Sequence, residues 1–582
     1  MNPASLLALF TLSGQLTHLA PVDILILVLY FAVVIFIGFY VKGSTNTSEE
    51  FFLAGREMSA WIAGLSFVSA NLGSLELMGW AGSAYQYGIL AMHWYWIGAI
   101  PAMLFLGIVM MPFYYISKTH SVPGYLQLRF GEAARGLSAV SFGLMTILMS
   151  GVNMYAMAVV MQTVLGWNMT FSIWVGAATV AVYVMLGGLR SAIINEVLQF
   201  ILIWAGAALI PILGLIEAGG WTNLKANIAI NVGNSSYTHL WSTLGHFQDN
   251  PMGINWFGII FGLGAIVSFG YWTTDFLVVQ RVLSANNLRA AKMAPVIGAA
   301  FKMAVPLIVI LPGLICLGLM QDGHPLFHLV PADIAKGNPA LHSYDQVLPL
   351  MLIRYCGPGL LGLGITALVA GFMSGMAGNV SAFSTVWTYD IYGAYIKKNA
   401  PDRHYVAMGR WSTVVGMLVS IATAYLVMNA ASIMDYVQAL FSFFIAPLFG
   451  TVILGMLWKR ATGTGGFLGL LAGTVSSISM FIYTSTGTAA HKAQALAHIA
   501  LSPYAQPQAE NMFRALWSWL ICVFVTVIVS YMTKPKTDAE LDGLVYGATV
   551  IPHDGSVGLF QKPVFWACVV AVVFIGLNLL FF

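Results

Sequence analysis

Ser69-Ala70-Asn71-Leu72-Gly73-Ser74-Leu75-Glu76 breaks what is otherwise an apolar run over residues 60–84. The run has the length of a membrane-crossing helix, about 20 residues, yet its middle carries Asn, Gly, Ser and a carboxylate. Those residue types favour local departures from helix, and unwound backbone presents carbonyls that can ligate a cation. A small-residue face for helix packing is the competing reading, but close packing has no use for Glu76. The stretch therefore predicts a helix interrupted in mid-membrane.

The surrounding composition agrees. Of 582 residues, 59% are hydrophobic and only 8% charged, against roughly 25% charged in a soluble domain. The mean hydropathy of +0.83 is spread along the chain rather than held in one anchor, so lipid is the expected outer solvent. A net charge of +3 with no basic run argues against nucleic acid. Cys316, Cys356, Cys522 and Cys568 have neither metal-ligand spacing nor a disulfide framework. The N-terminus lacks a basic region and a small-residue cleavage site, which predicts no cleaved signal peptide. Residues 1–20 read as a short amphipathic lead-in.

Apolar stretches near 23–41, 60–84, 93–116, 136–165, 168–187, 191–216, 256–280, 294–320, 348–395, 405–428, 433–457, 464–484, 513–532 and 563–582 predict about fourteen spans. The stretch 348–395 is too long for one crossing and predicts a short lead into a tilted helix ending near Asp390. Cations such as Lys42, Arg56, Arg129, Arg190, Arg281, Lys397, Arg403, Lys459 and Lys534 fall on alternate loops. By the positive-inside rule those loops are cytoplasmic, which puts both termini outside. The polar outside segments 217–255 and 321–347, and the cytoplasmic loop 534–562, are too short for a second domain, so residues 1–582 are read as one.

Polar side chains inside a span are costly unless they face a cavity or a partner. Three further places carry that cost. Ser268-Phe269-Gly270-Tyr271-Trp272-Thr273-Thr274-Asp275 puts hydroxyls and two aromatics in mid-segment; sugars offer C–H faces to rings and hydroxyls to polar groups, while an interfacial aromatic belt is the bland alternative. Lys302 lies inside its span, with snorkelling to the interface as its alternative. Ser374-Gly375 and Asp435-Tyr436-Val437-Gln438 complete the set; a lone Gln in a span can also simply join two helices.

These residues carry a recognisable pattern. Phe52-Leu53-Ala54-Gly55-Arg56 followed by Ser69 to Ser74 resembles the solute:sodium symporter family, particularly its sodium/glucose cotransporter branch. So do Pro123-Gly124-Tyr125-Leu126, Arg129-Phe130-Gly131, and Gly187-Gly188-Leu189 leading to Asn195-Glu196-Val197-Leu198-Gln199. Tyr271-Trp272-Thr273-Thr274-Asp275 with Val279-Gln280-Arg281-Val282-Leu283-Ser284-Ala285 is the nearest likeness, continued by Asp390-Ile391-Tyr392 and Asp435 to Gln438.

The resemblance implies an all-α polytopic membrane protein of LeuT-type fold. A leading helix at 23–41 would precede two inverted five-helix repeats, 60–216 and 256–457, with additional helices in 464–582. Each repeat would open with a discontinuous helix, and substrate would bind between them. Carried over by position, the substrate set is Asn71, Glu76, Ser268, Lys302 and Gln438, with Tyr271 as an inner gate and Trp272 beside it. The implied sodium ligands are Ser69, Leu72, Gly371 and Ser374, and Glu196 matches an acidic position linked to cations.

Two departures stand out. The sugar branch carries a Glu-Trp pair on the third span, where this chain reads His93-Trp94-Tyr95-Trp96; Glu76 is a candidate to compensate. Gly375 replaces an expected hydroxyl ligand for sodium. The leading expectation is sodium-driven uptake of a glucose- or galactose-like monosaccharide by alternating access. Proton coupling or no coupling is the alternative that Gly375 motivates, and a non-transporting sugar sensor is a further one. No His-Glu-x-x-His pair, Gly-x-Ser-x-Gly elbow or phosphate-cradling loop is present, so an enzyme is not expected. No cofactor is expected beyond sodium as coupling ion. The compact chain with short loops suggests a bacterial inner membrane.

Overall fold

A computed structural model describes residues 19–42, 47–233, 235–319, 344–428, 432–552 and 557–582. The expected lead-in 1–20 falls almost wholly outside these residues, as does most of the polar segment 321–347. Helix follows helix along the chain. The spans are α1 (Pro21–Lys42), α2 (Ala60–Asn71), α3 (Ser74–Tyr87), α4 (Trp94–Ile116), α5 (Glu132–Leu165), α6 (Met169–Ala207), α7 (Gly258–Thr274) and α8 (Phe276–Leu283). They continue as α9 (Leu288–Lys302), α10 (Pro306–Gly318), α11 (Leu360–Ile396), α12 (Asp402–Val427), α13 (Ile433–Leu457), α14 (Gly463–Ser485), α15 (Pro507–Met532) and α16 (Pro563–Leu580). Among the described residues, 10 helices are long and apolar enough to cross a membrane, or 13 with each bent pair taken as one span. The expected span at 168–187 corresponds to the apolar helix Met169–Val182, short of full crossing length by itself. The protein is a multi-pass, all-helical membrane protein.

Three helix pairs are bent at a break: α2–α3 by 56°, α7–α8 by 50° and α9–α10 by 43°. The first falls in the quoted stretch, where Leu72 leaves helical geometry (φ −78°, ψ 53°) and Gly73 is extended. The second falls at Asp275, extended (ψ 115°), whose carboxylate accepts the Leu277 N–H at 2.9 Å. Asp275 thus N-caps α8 as it ends α7. The third break lies at 303–305 and ends on Pro306. Its residues are apolar, so nothing but the proline marks it in the sequence.

Around these broken helices the long spans close the core. The most interior is α11, with 89% of its most apolar window buried; α16, with 17%, lies on the periphery. The stretch 348–395 resolves as a short helix, Val347–Tyr355, and then α11. The Asp23 carboxylate of α1 fixes the start of α11, accepting the Gly359 and Gly362 N–H groups at 2.7 Å each. At the far end of α13, the buried Arg129 guanidinium donates to the carbonyls of Gly455 (2.8 Å) and Trp458 (3.0 Å). Orphan carbonyls at a helix C-terminus are thereby satisfied by a cation, as the helix dipole favours. Gly188 kinks α6 at φ +53°, where a Cβ would lie 2.6 Å from the Phe51 carbonyl oxygen, so the position requires glycine.

Candidate functional site

The breaks in α2–α3 and α7–α8 face each other across a cavity that residues of both line, Asn71 and Gly73 from the first and Asp275 from the second. Asn71 stands at the last turn of α2 and Glu76 in the first turn of α3, where the helix dipole suits a carboxylate. Lys302 closes the last turn of α9, the end that suits a cation. It therefore sits inside its span, as expected, at a helix terminus created by the third break.

These side chains form one connected polar cluster. Lys302 Nζ donates to Glu76 Oε1 at 2.5 Å and also to Asn71 Oδ1. Asn71 Nδ2 donates to the Tyr271 hydroxyl at 2.9 Å, and the Tyr95 hydroxyl donates to Glu76 Oε1 at 2.7 Å. The ammonium lies 4.9 Å from the Tyr95 ring centroid and 5.2 Å from that of Trp272, close enough for cation–π attraction. Burying Lys302 and Glu76, 1% and 7% exposed, is tolerable because each charge has the other and further hydrogen bonds. Snorkelling of Lys302 is thus excluded: its head group is interior.

Ser268, Tyr271, Trp272 and Gln438 line the same cavity. The Ser268 hydroxyl presses against Gly98, where a Cβ would come within 2.3 Å of it. Tyr271 stacks near Phe441 (centroids 5.0 Å) and edge-on to Trp272 (5.1 Å, 87°), so the aromatics of this stretch are interior rather than an interfacial belt. All seven residues singled out for substrate contact therefore border one space.

The third span resolves the first departure. His93 points away, its Nε2 2.7 Å from the Leu240 carbonyl oxygen and its ring edge-on to Trp241. Tyr95 meets Glu76, so the carboxylate in the cavity comes from α3 while the third span supplies a phenol. Trp80 and Trp94, centroids 4.9 Å apart, add an aromatic wall that the sequence reading did not single out. Asn153 and Asn379 were also missed; each is an amide inside a long, largely apolar helix.

The residues expected to hold sodium meet at the α2–α3 break. The Ser374 hydroxyl donates to the Ser69 carbonyl at 2.8 Å, with the two hydroxyls 3.2 Å apart. Gly371 packs against the break, a Cβ there falling 3.3 Å from the Leu72 carbonyl oxygen. Gly375 of α11 faces Gly73, a Cβ on it falling 3.2 Å from the Gly73 Cα. Glu196 lies in another cluster, fully buried: Arg281 donates to it at 2.6 Å and Ser66 donates to its second oxygen. Arg281 also donates to the Leu277 carbonyl (2.9 Å) and to Gln280 (3.1 Å).

Two broken helices with a buried polar cavity between them are the arrangement of a secondary transporter. Residues 51–473 match the sodium:solute symporter family. The chain belongs to that family and is a sodium-coupled solute symporter, not an enzyme. It is 28% identical over 541 residues to sodium/glucose cotransporter 1 of Ovis aries, covering 89% of this chain and 80% of the relative. It is 31% identical over 482 residues to sodium/myo-inositol cotransporter 2 of Sus scrofa, covering 80% and 71%. Its fold matches a solved Na⁺-coupled sialic acid symporter in a substrate-bound outward-open state, with a TM-score of 0.71, 19% identity, and 89% and 99% of the two chains covered. The LeuT-type fold follows.

Proposed function

We propose that this symporter carries a neutral monosaccharide of the glucose or galactose kind, moved by sodium. The observation that carries this reading is the Lys302–Glu76–Asn71–Tyr95–Tyr271 cluster on one side of a cavity walled by Trp80, Trp94 and Trp272. Donors and acceptors alternate there as ring hydroxyls require, and the rings suit the C–H faces of a sugar. Lys302 is already neutralised by Glu76, which leaves no surplus positive charge for an acidic sugar. Relatives named for glucose and for myo-inositol fit a neutral polyhydroxylated substrate better than the sialic acid of the structural neighbour.

In this reading Ser69, Leu72, Gly371 and Ser374 hold the coupling ion beside the break, so that ion and sugar jointly favour the occluded state. A role for Glu196 in cation passage requires its pair with Arg281 to part. The inverted repeats are assigned to 60–216 and 256–457 and both termini to the outside, supported by the paired breaks and the cation distribution. A bacterial inner membrane is the proposed location.

The test is uptake into proteoliposomes of labelled glucose, galactose, myo-inositol and sialic acid. Each is run in sodium, in choline and with an imposed pH gradient. Sodium-dependent uptake of a neutral sugar is expected. Preference for sialic acid would overturn the neutral-sugar reading, and full uptake in choline without a proton gradient would overturn sodium coupling.

A further inference from the structure

The second departure, Gly375, has a structural counterpart on α5. The Asn153 side chain is buried, 4% exposed, and its Oδ1 has no hydrogen-bond partner among the described residues. Its Nδ2 donates to the Met149 carbonyl at 3.2 Å, which fixes the amide and leaves the oxygen pointing onward. That oxygen lies between the two glycines of the ion region: a Cβ on Gly375 would fall 2.9 Å from it, and a Cβ on Gly73 3.0 Å. The Gly371 carbonyl oxygen lies 3.5 Å from the same Gly73 Cβ position. Two oxygens from different helices thus flank one point at the break, and the space for one of them exists only because residue 375 has no side chain.

A buried acceptor with no partner calls for an explanation. A cation supplies one, since hard cations gather several oxygen ligands and an amide oxygen serves as well as a hydroxyl. We infer that the Asn153 side-chain oxygen is a ligand of the coupling sodium, standing in for the hydroxyl that Gly375 lacks. This rests on the sodium site proposed above, and not on the identity of the sugar. Any side chain at 375 would displace the amide, so a ligand has moved from α11 to α5 and the site keeps its oxygen count.

Asn153 also borders the substrate cavity, so the test measures sodium without substrate. Sodium-dependent thermal stabilisation of the purified protein in detergent is titrated against choline for wild type and four variants. Asn153→Ala should raise the half-saturating sodium concentration by about tenfold or more, the scale of one good contact. Asn153→Asp, which loses the donation to Met149 but keeps the oxygen, should retain or tighten sodium binding. Gly375→Ser in the Asn153→Ala background should recover most of the loss. Ser374→Ala should weaken sodium and so reports on the site itself. An unchanged sodium response in Asn153→Ala, with Ser374→Ala impaired, would overturn the inference and leave the site standing. Equal loss in the Ala and Asp variants would show a structural role and overturn it too. No sodium response in wild type would overturn both.

Discussion

Lys302 and Glu76 are 226 positions apart and meet at 2.5 Å inside the membrane. Removing one partner of a buried pair strands the other charge, at a cost of about 3–5 kcal/mol. Lys302→Ala is therefore expected to lower both thermal stability in detergent and substrate uptake. The double variant Lys302→Met with Glu76→Gln should recover stability, because no charge is left alone, while uptake stays lost. Recovery of uptake as well would remove the pair from the substrate site. Lys302 and Glu76 were legible as residues out of place in lipid, but their pairing was not. Tyr95 was read for the carboxylate its span lacks; its phenol matters only because α4 packs beside α3.

Among the elements, the broken helices divide by how loudly the chain announces them. Asn71, Gly73 and Asp275 are residues that disfavour continued helix, so those two breaks are readable. The break after Lys302 runs through Met303-Ala304-Val305 and gives only a proline as warning. The four elements α2, α6, α8 and α11 are tied beside the site by Ser66, Glu196, Arg281, Gln280 and Thr385, with Gln280 Nε2 donating to the Thr385 hydroxyl at 2.8 Å. Arg281 and Glu196 are both 0% exposed. Arg281→Ala should accordingly destabilise the fold by about 3–5 kcal/mol, read as a lowered unfolding temperature. A change within about 0.5 kcal/mol, typical of a surface site, would show that the pair is open in solution.

For the whole molecule, coupling is a statement about two sites and one conformational equilibrium. The proposed ion region and the cavity share α2–α3: Ser69 precedes the break and Leu72 lies in it, while Asn71 and Glu76 bracket it. Whatever factor sodium contributes to substrate affinity, substrate must return to sodium affinity. Titrating each in the presence and absence of the other should give equal factors. Unequal apparent factors would show that binding is not one ion to one substrate, as a second ion site outside the break would cause. In the proposed reading the two ligands bind at adjacent faces of one discontinuous helix, and the membrane supplies the barrier.

Composition alone committed this chain to lipid, because so few charges cannot cover a surface in water, and span length and residue type then located two of the helix breaks. The resemblance in its motifs gave the family. What the sequence could not contain is which polar groups share a space. The tertiary packing set Tyr95 against Glu76, turned His93 away, paired Glu196 with Arg281, and put the Asn153 oxygen into the room left by Gly375. Contacts of that kind depend on helix rotation and crossing, which apolar periodicity does not encode when every face of a helix is apolar.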